Sequence, residues 1–547
     1  MHALDSALRY WHTVRHLKPI QVYGRLAFHA WRPSVDLRAA PVVRRPTGTW
    51  ATPARRRQSL VAPTLLRLLS VERDVAAEGW APCDTDLLWR YNVHYFDDLN
   101  SDGATSRSAW HEALIERWIR DIPAGSSPAW DPYPLSTRLV NWIKYALAGG
   151  ALSPRAIDSM AAQARWLSKR IEWHLQGNHL WINGKALIFA GLFFSGDEAD
   201  RWMRLGTRIV GQELDVQILS DGGHFERSPM YHSLVVEDML DLVNVMRASG
   251  QGDVPLCNRI LERLPSARRW LAAMVHPDER ISFFNDATFG VAPEPAELDR
   301  YAQLLQLGAP CPPADGITHL QPSGYVRLQR GPAVLIMDVG DVGPDFCPAH
   351  AHADTLAIEL SLFGHRVVVN SGISCYGTGE ERMRQRGTAA HSTVTVEGLD
   401  SSEVWSGFRV ARRARPFGLA LDDDGVCCSV ACSHDGFASR LGGAVHRRRV
   451  ELSDDRLTVH DRIEPVRSAV ARYHLHPAVG ADGPAALRLP TGQCIRAIAT
   501  GSASMVSGAW YPGFGEQAAS NRLDLQSLSG AIELSLSWSD GMRPGGR

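Results

Sequence analysis

The stretch Cys311-Pro-Pro-Ala-Asp-Gly316 decides how the chain is read, because the texture of the sequence changes across it. Upstream, from about Tyr91 to Leu307, apolar residues recur at helical spacing: Leu114, Trp118 and Ile119, then Leu139, Trp142 and Ile143, then Leu234, Met239, Leu242 and Val243. Short breaks such as Pro123-Ala-Gly-Ser-Ser-Pro128 and Ala248-Ser-Gly250 separate these runs, as in serial helix hairpins. Serial hairpins build a bundle, a solenoid or a closed toroid. Downstream, runs rich in Val and Leu with alternating polar residues predict strands over Tyr325 to Leu328, Val334 to Met337, Arg366 to Val369, Ser392 to Val396, Arg448 to Leu452, Arg456 to Val459 and Ile532 to Trp538. With no long helical pattern between them, these strands predict an antiparallel sandwich rather than a parallel sheet.

The expected organisation is therefore multidomain α+β: a helical lead-in and connection over residues 1–80, a helical domain over 81–314 and a β-sandwich over 315–547. The Pro- and Arg-rich stretch Arg32 to Pro63 reads as a surface connection. A length of 547 residues, 45% hydrophobic and 21% charged, fits two large cores and excludes disordered and fibrous classes. Fifty-eight basic residues against 59 acidic ones leave a formal net charge of -1, so no global charge attracts nucleic acid or an anionic membrane. Any polyanion has to be met by a local cluster. The nine cysteines are scattered, without a C-x-x-C pair, which favours reduced thiols and a cytoplasmic setting. The first 33 residues hold His2, Arg9, Trp11, His12, Arg15 and His16 with no uninterrupted apolar run, so they read as an amphipathic helical lead-in, not a cleavable signal. No membrane span is expected.

Three dense polar segments interrupt this scaffold. In Gln176-Gly-Asn-His-Leu-Trp-Ile-Asn183, Asn178 and His179 precede an apolar run and are expected at a helix start, where amides and backbone donors face an anion. A capping Asn beside a packed His is the plainer alternative. In Asp221-Gly-Gly-His-Phe-Glu-Arg-Ser-Pro-Met-Tyr-His232, Tyr231 stands among His224, Glu226, Arg227 and His232, groups able to alter its proton affinity. In His350-Ala-His-Ala-Asp354, an extended backbone turns His350, His352 and Asp354 to one face. With Asn370 and His391 at nearby strand ends, this set suits either a mononuclear metal site or a hydrogen-bonded polar cluster.

These segments, with Ala389-Ala-His-Ser-Thr-Val-Thr-Val-Glu-Gly398, together resemble the heparinase II/III family of polysaccharide lyases. The resemblance implies an incomplete (α/α) toroid followed by an antiparallel β-sandwich. It also implies that Asn178 and His179 contact a substrate carboxylate, that Tyr231 acts in proton transfer and that His350 is the facing base or acid. His352 and His391 match the family's metal ligands, with Asn370 where an Asp is usual, so one structural zinc or manganese ion is expected. The neutral amide is a weaker oxygen donor than a carboxylate.

The expected reaction is β-elimination on a uronic-acid polysaccharide, a glycosaminoglycan first and alginate second. Such chemistry needs a group to offset the sugar carboxylate, a base for the C5 proton and an acid for the C4 oxygen. Either Tyr231 or His350 can serve as the base. Tyr133, Asn141, Trp181, Glu226, Arg227, Arg386 and Trp405 are the expected substrate contacts, with Trp130, Trp142, Arg382 and Arg384 beside them. Two rivals remain: a glycoside hydrolase using Glu226 and Asp354, which would have to flank the scissile bond, and a non-catalytic carbohydrate-binding protein of a capsule system.

Overall fold

The computed structural model describes residues 2–539. Helices α1 (His2–Val14) and α2 (Pro19–Ala30) open the chain. Residues 31–63 then run without regular structure around the helical domain, as expected of the Pro-rich stretch. Its backbone is satisfied by that domain: Arg165 donates to the carbonyls of Arg38 and Ala39, Arg44 N–H to Phe193 O, and Asn244 both donates to and accepts from Ala51. A hairpin of Leu65–Leu68 with Val71–Asp74 follows.

The helical domain comprises α3 (Leu87–Asn92), α4 (Ser108–Asp121), α5 (Pro132–Leu147), α6 (Pro154–Lys169), α7 (Gly177–Phe193), α8 (Asp197–Gln217), α9 (Pro229–Ala248), α10 (Pro255–Ala273) and α11 (Pro295–Leu304). Several open on proline, whose missing N–H falls where a helix leaves donors unpaired anyway. α7 is apolar on every side and is accordingly the central helix, packed on α5, α6, α8 and α9. Its approach to α8 depends on glycine: a Cβ at Gly206 would lie 2.7 Å from Gly184 O.

The second half forms two large antiparallel sheets, beside a short ladder of Val404–Trp405 with Arg409–Val410. One runs from Ser502–Trp510 through Ala518–Ser527, Ala469–Leu475, His365–Val369, Ile358–Leu362, Ala333–Asp338 and Tyr325–Arg330 to Gly316–Leu320, with Val394–Val396 also paired to Ala469–Leu475. The other runs from Pro416–Asp423 through Cys428–His434, Val445–Leu452, Arg456–Glu464, Ala531–Trp538 and Cys494–Ala499 to Ala486–Arg488 and Gly480–Ala481. Alternation sets which face is buried: His446, Arg448, Val450 and Leu452 point inward from one strand. Val450 and Leu452 meet Leu328, Met337, Leu360 and Val367 of the facing sheet in one core, so the sheets stack as a sandwich. Toroid and sandwich are joined by a second apolar cluster in which Trp270, Met274 and Phe284 touch Tyr325 and Ile336.

The segment from His350 to Thr355, expected to be extended and to continue directly into a strand, is irregular; the strand begins at Ile358. Its backbone finds partners outside a ladder, with His352 N–H on Asn285 Oδ1 and Ala353 N–H on Arg386 O. α12 (Glu380–Arg386) lies between the strands that follow.

Candidate active site

Gln176 and Gly177, both with positive φ (62° and 56°), turn the chain sharply into α7, so that Asn178 and His179 occupy its first turn. Glycine at 177 also leaves room for a neighbour: a Cβ there would lie 2.8 Å from Glu226 Oε1 and 3.3 Å from Cys347 Sγ. His179 Nδ1 lies 3.1 Å from Glu172 Oε2, and its ring packs on Tyr133 at 4.6 Å between centroids. Burial opposes a charge on His179, yet the Glu172 carboxylate raises its proton affinity above the usual imidazole value. The side-chain amide of Asn178 has no protein partner among the described residues and faces the cleft.

α9 delivers Tyr231. Ser228 caps it, accepting from Tyr231 N–H at 3.1 Å, and its hydroxyl donates to Asp286 O at 2.5 Å. The Tyr231 ring lies against His350, 4.0 Å between centroids, and its hydroxyl is 2.9 Å from that of Tyr376. Burial, reinforced by Tyr376, pushes the Tyr231 phenol well above its ordinary pKa, so it rests as a proton donor.

His350 Nδ1 lies 2.8 Å from Asp286 Oδ2, and His352 Nε2 lies 2.8 Å from Asp286 Oδ1. Arg382 grips the same carboxylate with both arms, one contact at 2.8 Å. Burial alone would protonate Asp286, but Arg382 and the two imidazoles hold its carboxyl well below the usual range. A carboxylate only accepts, so His350 Nδ1 carries the hydrogen and, in the neutral ring, Nε2 keeps its lone pair. The two imidazoles thus converge as expected, although through a loop rather than a strand face. Asp286, Tyr376 and Arg382 as its clamp were not foreseen from the sequence; they sit in the loops Phe284-Asn285-Asp286 and Ser374-Cys375-Tyr376 and in α12, with no local pattern to mark them.

Asn178, His179, Tyr231 and His350 line one cavity of about 390 Å³, with Tyr133, Tyr376 and Phe408 around it. Asn178, Tyr231 and Tyr133 are shared with a second lobe of about 310 Å³, which also exposes Asn141, Arg56, Lys144, Lys185, Asp97 and Asp238. There Lys185 bridges Asp238 at 2.5 Å and Asp241 at 2.6 Å, and Arg56 pairs with Glu237. Asn141 donates to Asp97 and to Tyr95 O. Trp181 borders this lobe but is buried in the core of α7, and Trp130 and Trp142 are likewise core residues.

Other expected contacts lie elsewhere. Arg227 donates to the carbonyls of Asp341 and Gly343 and borders neither lobe, because its left-handed backbone (φ 58°) turns it toward a sandwich loop. Arg386 is fully buried and holds Ala351 O through Nε and Nη2. Trp405 donates to Thr13 Oγ1 and stacks edge-on with Tyr10 of α1. Arg384 is paired with Glu381 on the surface. Glu226 is buried beneath the site, 3.8 Å from His350 Nε2, and Asp354 accepts from Asn285 N–H; neither lines the cleft, so they do not form a hydrolase pair. His224 and His232 face away from Tyr231, His224 onto Gln217 and His232 onto Ala267 O.

The residues expected to hold a metal do not make a three-donor set. His352 Nδ1 and His391 Nε2 lie 3.1 Å apart, in hydrogen-bond contact. Asn370 Oδ1 accepts from Ser392 N–H at 3.0 Å, which fixes the amide orientation and leaves its unpartnered Nδ2, a donor, as the remaining atom. Among the described residues no group of three or more His, Cys, Asp or Glu is arranged to hold a metal ion.

The family signature described as Heparinase II/III N-terminus matches residues 151–304, and that described as Heparinase II/III-like, C-terminal matches residues 312–539. FtsZ-localized protein C of Caulobacter vibrioides is 26% identical over 439 residues, 72% of this chain and 71% of that protein. A heparin-sulfate lyase of Bacteroides stercoris is 26% identical over 343 residues, and the matched region covers 57% of this chain but only 47% of the lyase, about half its length. The crystal structure of heparinase III superposes with a TM-score of 0.69 at 17% identity, covering 99% of this chain and 90% of that one, which shows the same toroid-plus-sandwich fold. With both halves matched and the fold shared throughout, the chain belongs to the heparinase II/III-like family of polysaccharide lyases.

Proposed function

We propose that this protein cleaves uronic-acid-containing polysaccharides, glycosaminoglycans first among them, by β-elimination. The observation that carries the reading is the gathering of Asn178, His179, Tyr231 and His350 around one cavity between the two domains. The heparin-sulfate lyases among its relatives support the substrate class.

In this reading the unpartnered amide of Asn178 and the Glu172-supported His179 bind the uronate carboxylate. Offsetting its charge acidifies the C5 hydrogen and stabilises the enolate-like transition state. His350 Nε2 takes the C5 proton, the C5 electron pair forms the C4–C5 double bond, and the C4–oxygen bond breaks. Tyr231, resting as a phenol, gives its proton to the departing oxygen. After product release His350 gives its proton to solvent and the Tyr231 phenolate takes one from solvent, which restores the starting state. No water is consumed. The structure supports this division of labour over one in which Tyr231 begins as the base, because burial disfavours its phenolate.

The test is a panel of hyaluronan, chondroitin sulfates, heparan sulfate and alginate with the purified full chain, read by the absorbance of unsaturated uronate. We expect product on at least one polymer and a loss of about 10²-fold or more in Tyr231→Phe. New reducing ends without the double bond, or near-normal activity of Tyr231→Phe, would overturn the reading. The relative named for localisation with FtsZ shows why the product, rather than family membership, has to decide.

A further inference from the structure

We infer that α1 and α2 form a docking surface for an anionic lipid bilayer, independent of the cleft. α1 is oriented in the reverse of an ordinary surface helix, and α2 carries apolar residues on its outer side as well as on the side that meets the protein. α1 turns its polar side to the protein: Arg9 pairs with Glu403 at 2.7 Å, and Thr13 Oγ1 accepts from Trp405 Nε1. Its apolar stripe of Leu8, Trp11 and Val14, at helical spacing, faces solvent, with Trp11 59% exposed. α2 has no buried residue. Gln21 is tied to Phe346 O and Phe28 lies on His174, while Val22, Tyr23 and Leu26 point outward, Leu26 70% exposed. Exposed Leu17 and Trp31 extend the surface at the ends of this pair. So many large apolar side chains exposed within two short helices mark an interaction face.

Charge identifies the occupant. Residues 1–32 contain Arg9, Arg15, Lys18, Arg25 and Arg32 against Asp5 alone, a net charge of +4 in a chain whose total is -1. The rest of the molecule is therefore acidic. Arg15 and Arg25 are exposed and have no carboxylate partner among the described residues. Tryptophan, tyrosine and aliphatic side chains interleaved with unpaired arginines on a helix surface suit the boundary between lipid headgroups and acyl chains. A second copy of this chain fits worse, because a two-fold pairing of the same face would bring two surfaces of net positive charge together. No helix among the described residues is long and apolar enough to cross a membrane, so the attachment is parallel to the surface.

The experiment is flotation of the full chain with vesicles of phosphatidylcholine alone and of phosphatidylcholine with phosphatidylglycerol, at low and high salt. Binding is expected to the anionic vesicles and to weaken with salt. Arg15→Ala with Arg25→Ala is expected to weaken it roughly thirtyfold at low salt. Trp11→Glu with Leu26→Glu is expected to abolish it while leaving the melting temperature of the protein unchanged. Absence of wild-type binding to anionic vesicles, or equal binding by the glutamate variant, would overturn the proposal. So would a dimer in light scattering that the glutamate variant dissociates, since the face would then belong to a second copy.

Discussion

Asp286 accepts from His350, His352 and Arg382 at once, so removing its charge acts on stability and chemistry together. Asp286→Asn keeps the shape but leaves the Arg382 guanidinium buried without a counter-charge, and a loss of about 3 kcal/mol is expected in urea unfolding. At a temperature where the variant stays folded, kcat should fall by about 10²-fold or more because the His350 tautomer is no longer fixed. Unchanged stability would contradict the clamp; unchanged kcat would contradict the role of the His350–Asp286 pair. Asn370 gives a second residue-level prediction. Its amide presents a donor, so neither a chelator nor added zinc should shift the melting temperature of the wild-type chain, whereas Asn370→Asp should gain a zinc-dependent rise. A wild-type melting curve that drops on chelation would show that a third donor is recruited. The polar segments that bring Asn178, His179, Tyr231 and His350 to one cavity stand out in the sequence because they interrupt an apolar rhythm, whereas the roles expected of these residues rest on the family resemblance. Asp286 and Tyr376 were not, since Tyr376 meets Tyr231 across 145 residues and nothing near it announces the contact.

The elements were read from their periodicity, and the hinge between textures at Cys311 to Gly316 falls where the first strand of the sandwich begins. The misreading at His350 to Thr355 has a physical cause: alternation of His and Ala mimics a strand, but the backbone is satisfied by Asn285 and Arg386, which sequence spacing cannot reveal. At the start of α9, by contrast, local chemistry is explicit. Ser228 both caps the helix and ties down the Asp286 backbone, so Ser228→Ala should cost about 1–2 kcal/mol, measured as a lower urea midpoint. A change within a few tenths of a kcal/mol would mean that Pro229 and packing alone fix this helix start. α1 and α2 show the limit of periodicity: their amphipathic pattern was evident, but which face meets the protein is decided by Glu403, Trp405 and Phe346, far along the chain.

Across the whole molecule, toroid and sandwich each bury histidines in the neutral state, which makes acid stability a property of the assembly. His232, in the toroid, donates from Nε2 to Ala267 O and accepts on Nδ1 from His224 N–H, so both ring nitrogens are committed to one neutral tautomer. Burial lowers its pKa to about 4, and that of His474 in the sandwich to about 3. The unfolded chain binds these protons near pH 6.5, whereas the folded chain refuses them until far lower pH. Their contribution is therefore fully present above about pH 6.5 and is lost as pH falls, by on the order of 3 kcal/mol for each residue once pH approaches 4. Asp461, buried in the sandwich, behaves differently. Burial opposes its charge, but Arg448 and His446 hold its carboxyl well below the usual range, so its loss begins only below about pH 4. The two windows separate the groups. Urea midpoints should fall steadily between about pH 7 and pH 5, and His474→Gln should flatten that slope while retaining a donor for Ala389 O. A midpoint that stays level across this range would mean that these imidazoles take up protons without unfolding, through water or movement at the domain junction.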